Sequence, residues 1–143
     1  MSDFEEKIDK ISEKFLQIQN QFKIDCKINR SDPFDRFNTE LLEKWIRRRT
    51  EWSKLCKAYE DKKKERFRSL YEYYKTDFDV KLSTKDEYSL FIESDASYTT
   101  INTLYQNTKE VLVYIDAIVD TLKQRQWEIR AYIDYLKWSN GNQ

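Results

Sequence analysis

The chain has almost nothing with which to make tight turns. Its 143 residues include one glycine, Gly141, and one proline, Pro33. Sharp turns and short loops rely on glycine, proline or Asn-Gly pairs, so we expect few and long elements. Lysine, glutamate, leucine, glutamine and arginine, which are abundant here, favour helices. The sequence therefore predicts an all-α fold.

Two stripes of apolar residues mark the first two helices. Between Phe4 and Phe22 the apolar positions alternate in steps of four and three, as on one face of a helix. Asp3 is the expected N-cap of this helix. Asp32 before Pro33 is a second helix-start signal, and the stripe that follows it predicts a helix of some 60 Å from Pro33 to Lys75, at about 1.5 Å per residue.

A third stripe, from Ile101 to Leu136, keeps the same spacing for five heptads, and Ser139-Asn140-Gly141 is expected to end its helix. We predict that the long helices form an antiparallel hairpin, with the N-terminal helix in addition. Such a flat unit has too little interior for its apolar surface, so assembly into a homo-oligomeric ring is expected. The candidate oligomerisation residues are Val111, Ile115, Ile118, Leu122, Ile129, Tyr132 and Leu136.

These patterns divide a single domain into four segments. An N-terminal amphipathic helix is expected over 1–30, a basic and aromatic helical region over 33–76, an acidic connector over 77–98 and a C-terminal oligomerisation helix over 99–139. Within the connector, the apolar run from Tyr88 to Ile92 is interpreted as a short strand or a helical turn, because so short a run does not reveal its period.

Composition weighs against several function classes. The chain has no histidine and no glycine-rich phosphate loop, so we predict that it is not an enzyme and that it needs no cofactor or metal. No segment approaches ~18 consecutive apolar residues, and the start, MSDFEEKIDK, does not resemble a signal peptide. Cys26 and Cys56 stand alone, which favours reduced thiols in a cytoplasmic protein.

The segment from Lys44 to Lys75 carries the clearest functional signal. It holds twelve basic and five acidic residues in a chain whose formal net charge is zero, and aromatic residues lie between the cations. Cations that neutralise phosphates and rings that stack on bases are typical of single-stranded nucleic-acid binding. The candidate DNA-binding residues are Arg47, Arg48, Arg49, Lys62, Lys63, Lys64, Arg66, Arg68, Tyr71, Tyr73, Tyr74 and Lys75.

Other interpretations of this basic segment remain open. A solvated helix face is the plainest, and a helical scaffold or adaptor that binds only proteins would also explain the stripes. The acidic flanks disfavour a membrane surface. Lys64, Arg68 and Tyr71 share one helix face, however, and the three phenols of Tyr71, Tyr73 and Tyr74 cannot all be buried. Trp45 and Trp52 lie on the apolar stripe and are predicted to be core or interface residues.

Three motifs give the chain a family resemblance. Lys44-Trp45, the stretch KKERFRSLYEYY from Lys63 to Tyr74, and the stretch LKQRQWEIRAYIDYLKWSNG from Leu122 to Gly141 occur in the order seen in UvsY-type recombination mediators of T4-like phages. Ile24-Asp25 marks the N-terminal end of the similarity, which covers residues 24–141.

The resemblance implies a function. Members of that family bind single-stranded DNA without sequence specificity and form ring-shaped homo-oligomers, reported as heptamers. They help a RecA-like phage recombinase displace the phage single-strand-binding protein, in the cytoplasm of the infected cell, during recombination, repair and recombination-dependent replication. By position, Arg68 matches a basic DNA-binding residue of the family, and Lys63 and Lys64 match its neighbours. Leu70 stands where the family has a second key basic residue, for which Arg66 is a candidate replacement.

Overall fold

The computed structural model describes residues 2–25 and 37–141, and within them it is helical, with no strand. Four helices follow one another: α1 (Asp3–Asp25), α2 (Phe37–Thr76), α3 (Lys85–Ser94) and α4 (Ala96–Gly141). The all-α prediction is thus confirmed for this part of the chain. The helix start expected at Asp32-Pro33, and Cys26, lie outside the described residues.

Local hydrogen bonds explain where α1 begins. The backbone N–H of Glu5 donates to the Ser2 hydroxyl at 3.2 Å, and that of Glu6 donates to the Ser2 carbonyl at 3.1 Å. Ser2 is therefore the N-cap, and the assignment of Asp3 to that position was wrong. Asp3 is the first helical residue, and its carboxylate lies 3.3 Å from the Lys7 ammonium one turn later, where it also favours the helix N-terminus.

The long helices α2 and α4 form the main contact of the molecule. The contacts between them run in opposite sequence order: Arg49 lies 4.0 Å from Asp116, whereas Arg66 lies 2.7 Å from Ser97. One face of α4 is fully buried between Thr108 and Val119. α1 closes this core with Ile11 and Ile18, so the first apolar stripe has an intramolecular partner.

Trp45 and Trp52 belong to this core, with 0% and 8% of their surface exposed, which confirms the prediction made for them. The indole of Trp45 is packed edge-on by Phe22 of α1, with ring centroids 6.1 Å apart. Burial along α4 ends at Leu122, since none of the described residues beyond it is buried. The last turns of α4 therefore extend past the core.

The predicted acidic connector contains α3. Thr84 is the N-cap, accepting a hydrogen bond from the Glu87 N–H at 3.3 Å, and the Glu87 carboxylate accepts one from the Ser83 N–H at 2.8 Å. These bonds satisfy free donors at the helix start. The run from Tyr88 to Ile92 thus lies in a ten-residue helix. Of its two interpretations, the helical one is confirmed and the strand was wrong. Ile92 is fully buried and attaches α3 to a second small core.

Candidate nucleic-acid interface

A groove forms where the basic part of α2 meets the start of α4. Its volume is about 550 Å³. Three cations and three aromatic rings line it: Lys63, Lys64, Arg68, Phe67, Tyr71 and Tyr98. Four of these six residues were predicted from the sequence to bind DNA, and the helical register brings them to one side of α2. We call this feature the basic groove.

Aromatic rings make the floor of the basic groove. Phe67 of α2 and Tyr98 of α4 meet edge to face, with centroids 6.1 Å apart. Tyr98 is buried, whereas Phe67 and Tyr71 are half-buried, so the latter two present part of their surface to the groove. Such rings are suited to contact with the faces of nucleic-acid bases, which every base offers regardless of sequence.

The three cations of the groove differ in how they are held. The ammonium of Lys64 lies 3.1 Å from the Glu60 carboxylate, and that of Lys63 lies 4.9 Å from the centroid of the Tyr105 ring. The hydrogen bond from Lys64 lowers the pKa of Glu60. Arg68 is exposed and has no ion pair with another described residue. Its guanidinium is thus available to a phosphate, for which its flat fork of donors is well shaped.

Arg66 occupies a different position from its neighbours. Its Nε donates a 2.7 Å hydrogen bond to the hydroxyl of Ser97, which ties α2 to the first turn of α4. Ser97 in turn hydrogen-bonds to Asp95 through both its N–H and its hydroxyl, and these bonds lower the pKa of that carboxyl. Leu70, at the position where the resemblance implies a second basic residue, is 6% exposed and packs in the second core.

The three predicted tyrosines have separate surroundings. Tyr71 lies on the groove and also contacts Tyr88 of α3, with centroids 5.0 Å apart. Tyr74 contacts Phe78 at 4.9 Å and Phe91 at 5.6 Å. Tyr73 is 47% exposed, so one of the three phenols is open to solvent, as predicted.

The arginines of 47–49 lie far from the groove. Arg48 and Lys64 are sixteen residues apart on one helix, which corresponds to about 24 Å. The Arg48 guanidinium lies 4.7 Å from the centre of the Trp45 ring, Arg49 faces Asp116 at 4.0 Å, and Arg47 is exposed. Lys62 lies 5.6 Å from the Tyr59 ring, and Lys75 is exposed. In the structure, some of the predicted DNA-binding residues thus line the groove, and the other predicted cations lie elsewhere.

Two short motifs of the family resemblance meet at a buried carboxylate. Asp25, 8% exposed, accepts hydrogen bonds from Lys44 Nζ at 2.9 Å, Trp45 Nε1 at 3.1 Å and Gln21 Nε2 at 2.9 Å. Burial alone raises the pKa of Asp25, but the bonds from Lys44 and Gln21, the Lys44 charge and the indole N–H outweigh it, so the pKa is lowered. This network fastens the end of α1 to α2.

The lowered pKa of Asp25 predicts a loss of stability in acid. A carboxyl group whose folded pKa lies below its unfolded value, about 3.9, stabilises the fold above that value and ceases to do so as pH falls through the folded pKa. We expect the free energy of unfolding of the parent to exceed that of Asp25→Asn at neutral pH. The difference should shrink below about pH 4. Urea titrations at a series of pH values measure it, and a difference that is constant with pH would contradict this role.

The predicted oligomerisation stripe divides into two parts. Val111, Ile115, Ile118 and Leu122 are buried within the core of the same chain. Tyr132 is 52% exposed and Leu136 is 36% exposed, and Ile129 is half-buried. The exposed part also carries two tryptophans that the predicted set did not include, Trp127 at 69% and Trp138 at 67%.

The candidate DNA-binding residues named from the sequence did not include two aromatic residues of α4, Tyr98 in the groove and Tyr105 beside Lys63. Their spacing of seven residues was a usable signal, but the expected helix start at 99 left Tyr98 in the connector. Among the described residues no cluster of side chains could hold a metal ion, and no described helix is long and apolar enough to cross a membrane.

Comparison with known proteins gives one match. Residues 17–142 match the family model described as "Recombination, repair and ssDNA binding protein UvsY". The match covers most of the chain and includes the C-terminal part of α1 from residue 17 onward and all of α2, α3 and α4. Searches of curated proteins and of solved structures found no match.

Proposed function

This chain belongs to the UvsY family of recombination, repair and single-stranded DNA binding proteins, and we propose that it is a recombination mediator. In this role it binds single-stranded DNA and helps a RecA-like phage recombinase to replace the single-strand-binding protein that coats it, in the cytoplasm of the infected cell. The observation that supports the proposal most directly is the basic groove, which combines exposed cations with accessible rings on the matched segment.

The groove suits a ligand that varies in sequence. Its cations would neutralise backbone phosphates, and its rings would contact base faces, neither of which distinguishes one base from another. A strand held in this way lies along the protein with its bases separated from their neighbours. We propose that this prepared strand is the substrate on which the recombinase filament starts. A scaffold that binds only proteins would leave the groove without a role.

The end of α4 is the proposed site of ring assembly. At 100° per residue, Ile129, Ile133 and Leu136 face one side of the helix, and Trp127 and Trp138 face the opposite side. A closed ring requires two different surfaces on each subunit, one for each neighbour. Two apolar sides on a helix that extends past the core therefore favour a ring of hairpins, for which the family resemblance implies seven subunits.

Ring assembly strengthens the binding of a DNA strand that each subunit holds only weakly. Each groove is small and need bind only modestly, because a strand that is held by one subunit is presented to the next at high effective concentration. The strand would therefore dissociate slowly from the assembly as a whole while each contact stays exchangeable. Exchangeable contacts would allow a recombinase to take over the strand one subunit at a time.

Charge on the exposed end of α4 should break the ring without unfolding the chain. We expect Ile129→Glu combined with Leu136→Glu to convert the oligomer to smaller species, because both side chains lie beyond the last buried residue of the core. Sedimentation equilibrium measures the mass, and Lys137→Glu, an exposed change on the same turn, is the control. An unchanged mass in the double variant would place the interface elsewhere.

The mediator role is tested by recombinase loading. The recombinase's single-strand-dependent ATP hydrolysis is followed on DNA that is already coated with the single-strand-binding protein. The parent protein should shorten the lag before hydrolysis starts, and Arg68→Ala should restore much of the lag. If the parent leaves the lag unchanged while still binding single strands, the chain binds DNA but is not a mediator.

A further inference from the structure

Next to the basic groove, a row of side chains on α4 continues beside α2. On α4, Tyr98, Tyr105 and Lys109 stand at positions i, i+7 and i+11 and so share one face of the helix. Tyr98 belongs to the groove, and Tyr105 is joined to it by Lys63, whose ammonium lies 4.9 Å from the Tyr105 ring centroid. The same face therefore leads away from the groove toward Lys109.

Lys109 brings a second cation to the same ring. Its ammonium lies 5.8 Å from the Tyr105 centroid, and the residue is exposed. The two ammonium groups, of Lys63 and Lys109, are both attracted to the Tyr105 ring but repel each other. A phosphate bound near them offsets this repulsion. Lys109 forms no ion pair with another described residue, so the protein itself does not supply an anion there.

The surrounding charges limit where a phosphate backbone can run. Beyond Tyr71, the stretch 76–95 holds six acidic and two basic residues, so a strand is repelled from the α3 end of the molecule. Along α2 in the other direction stand two consecutive acidic residues, Glu60 and Asp61, and Asp61 also pairs with Lys57 at 3.2 Å. On α4 beyond Lys109, Asp116 faces Arg49 at 4.0 Å. Lys109 is thus the favourable next contact after Lys63.

We propose that single-stranded DNA leaves the basic groove along this row of side chains. Helix α4 then supplies further contacts, with Lys109 binding a phosphate and Tyr105 holding the two lysines in place. The inference rests on the proposed DNA-binding role of the groove and adds the direction of the strand. From Tyr98 to Lys109 the path is about 16 Å long at 1.5 Å per residue. That length accommodates up to about five phosphates at the 3.4 Å spacing of a duplex strand, and fewer on an extended one.

Removal of one phosphate contact has a defined signature. For single strands the logarithm of the binding constant falls by about 0.7 per phosphate contact for each tenfold rise in salt. For each subunit that the strand contacts, we expect Lys109→Ala to reduce the slope by about 0.7 and to weaken binding about fivefold at 0.1 M salt. Fluorescence anisotropy of a labelled oligodeoxythymidylate, titrated with the full-length protein over a range of salt concentrations, measures both quantities.

Two variants make the test specific. Lys109→Arg keeps the charge and should retain the parent slope, so a loss in this variant as well would argue against a phosphate contact. Lys123→Ala removes the same charge from the same helix, about 21 Å further along and past the Asp116–Arg49 pair, and should bind as the parent does. Circular dichroism checks that each variant is folded. If Lys109→Ala binds no worse than Lys123→Ala, the proposed path is wrong.

An Arg68→Ala variant separates this inference from the function on which it rests. If Arg68→Ala weakens binding and Lys109→Ala does not, the groove binds DNA and the strand leaves it by another route. If neither variant weakens binding, the basic groove itself is not the DNA site. If both variants weaken binding, the slope of the salt dependence should fall about twice as much in the double variant as in either single variant. The two contacts are far enough apart to act independently.

Discussion

Replacement of Lys63, Lys64 and Arg68 together by alanine is expected to weaken single-stranded DNA binding on the order of a hundredfold at 0.1 M salt. Each side chain lines the basic groove, and each lost phosphate contact costs about fivefold under these conditions. The slope of the salt dependence should fall by about 2 in the same experiment. Competition between labelled and unlabelled oligonucleotides measures the affinities of the parent and of the variant.

A matched variant separates a local site from general electrostatics. Lys123, Arg130 and Lys137 are three exposed cations near the end of α4, about 21 Å or more along that helix from Lys109, and their joint replacement by alanine changes the net charge by the same amount. This control should bind single strands within a few-fold of the parent, because surface charges beyond about 10 Å from the strand are largely screened at 0.1 M salt. Equal losses in the two variants would mean that overall charge, and not the groove, determines affinity.

Replacement of Trp45 by alanine is expected to lower the free energy of unfolding by about 3–5 kcal/mol. The indole has no exposed surface, packs against Phe22 and Arg48, and donates a hydrogen bond to the buried Asp25 carboxylate. The change leaves a large cavity and removes one donor from a buried charge. Chemical denaturation at neutral pH, followed by circular dichroism, measures the loss.

Two further substitutions show which part of that loss belongs to the hydrogen bond. Trp45→Phe keeps an aromatic ring but has no N–H, so it should cost about 1–3 kcal/mol, mainly through the loss of one of the two hydrogen bonds to Asp25 Oδ2. Leu16→Ala, at a residue that is 58% exposed, should change stability by less than about 0.5 kcal/mol. If Trp45→Ala were as mild as Leu16→Ala, the packing described for α1, α2 and α4 would be wrong.

The long helices could be predicted from the sequence because no helix-breaking residue interrupts their apolar spacing. The four- and three-residue spacing in α1, α2 and α4 runs for many turns without glycine or proline, so the period is well defined. The ten residues of α3 give too short an apolar run to show a period, and its capping by Thr84 and Glu87 is a weaker sequence signal. The sequence therefore left a strand and a helical turn both open for this run, and the structure shows the helix.

The sequence predicted only part of the basic groove. Spacing on one helix places Lys64, Arg68 and Tyr71 together, but it cannot show which residues of a second helix lie opposite, so Tyr98 and Tyr105 were missed. It also cannot show that Arg66 is engaged by Ser97. Similarly, the apolar stripe on α4 keeps the same three- and four-residue spacing along its whole length. Only packing reveals that its part up to Leu122 fills the chain's own core while the later part stays exposed.

Binding of single-stranded DNA through exposed cations and rings should depend on salt, and this dependence is measured with the parent protein. Anisotropy of a labelled single strand, with a duplex of the same sequence beside it, is followed from low to high salt. We predict tighter binding to the single strand, with an affinity that falls linearly on logarithmic axes by about 0.7 for each phosphate contacted. Absence of binding at low salt, or an affinity that does not change with salt, would contradict this mode of binding.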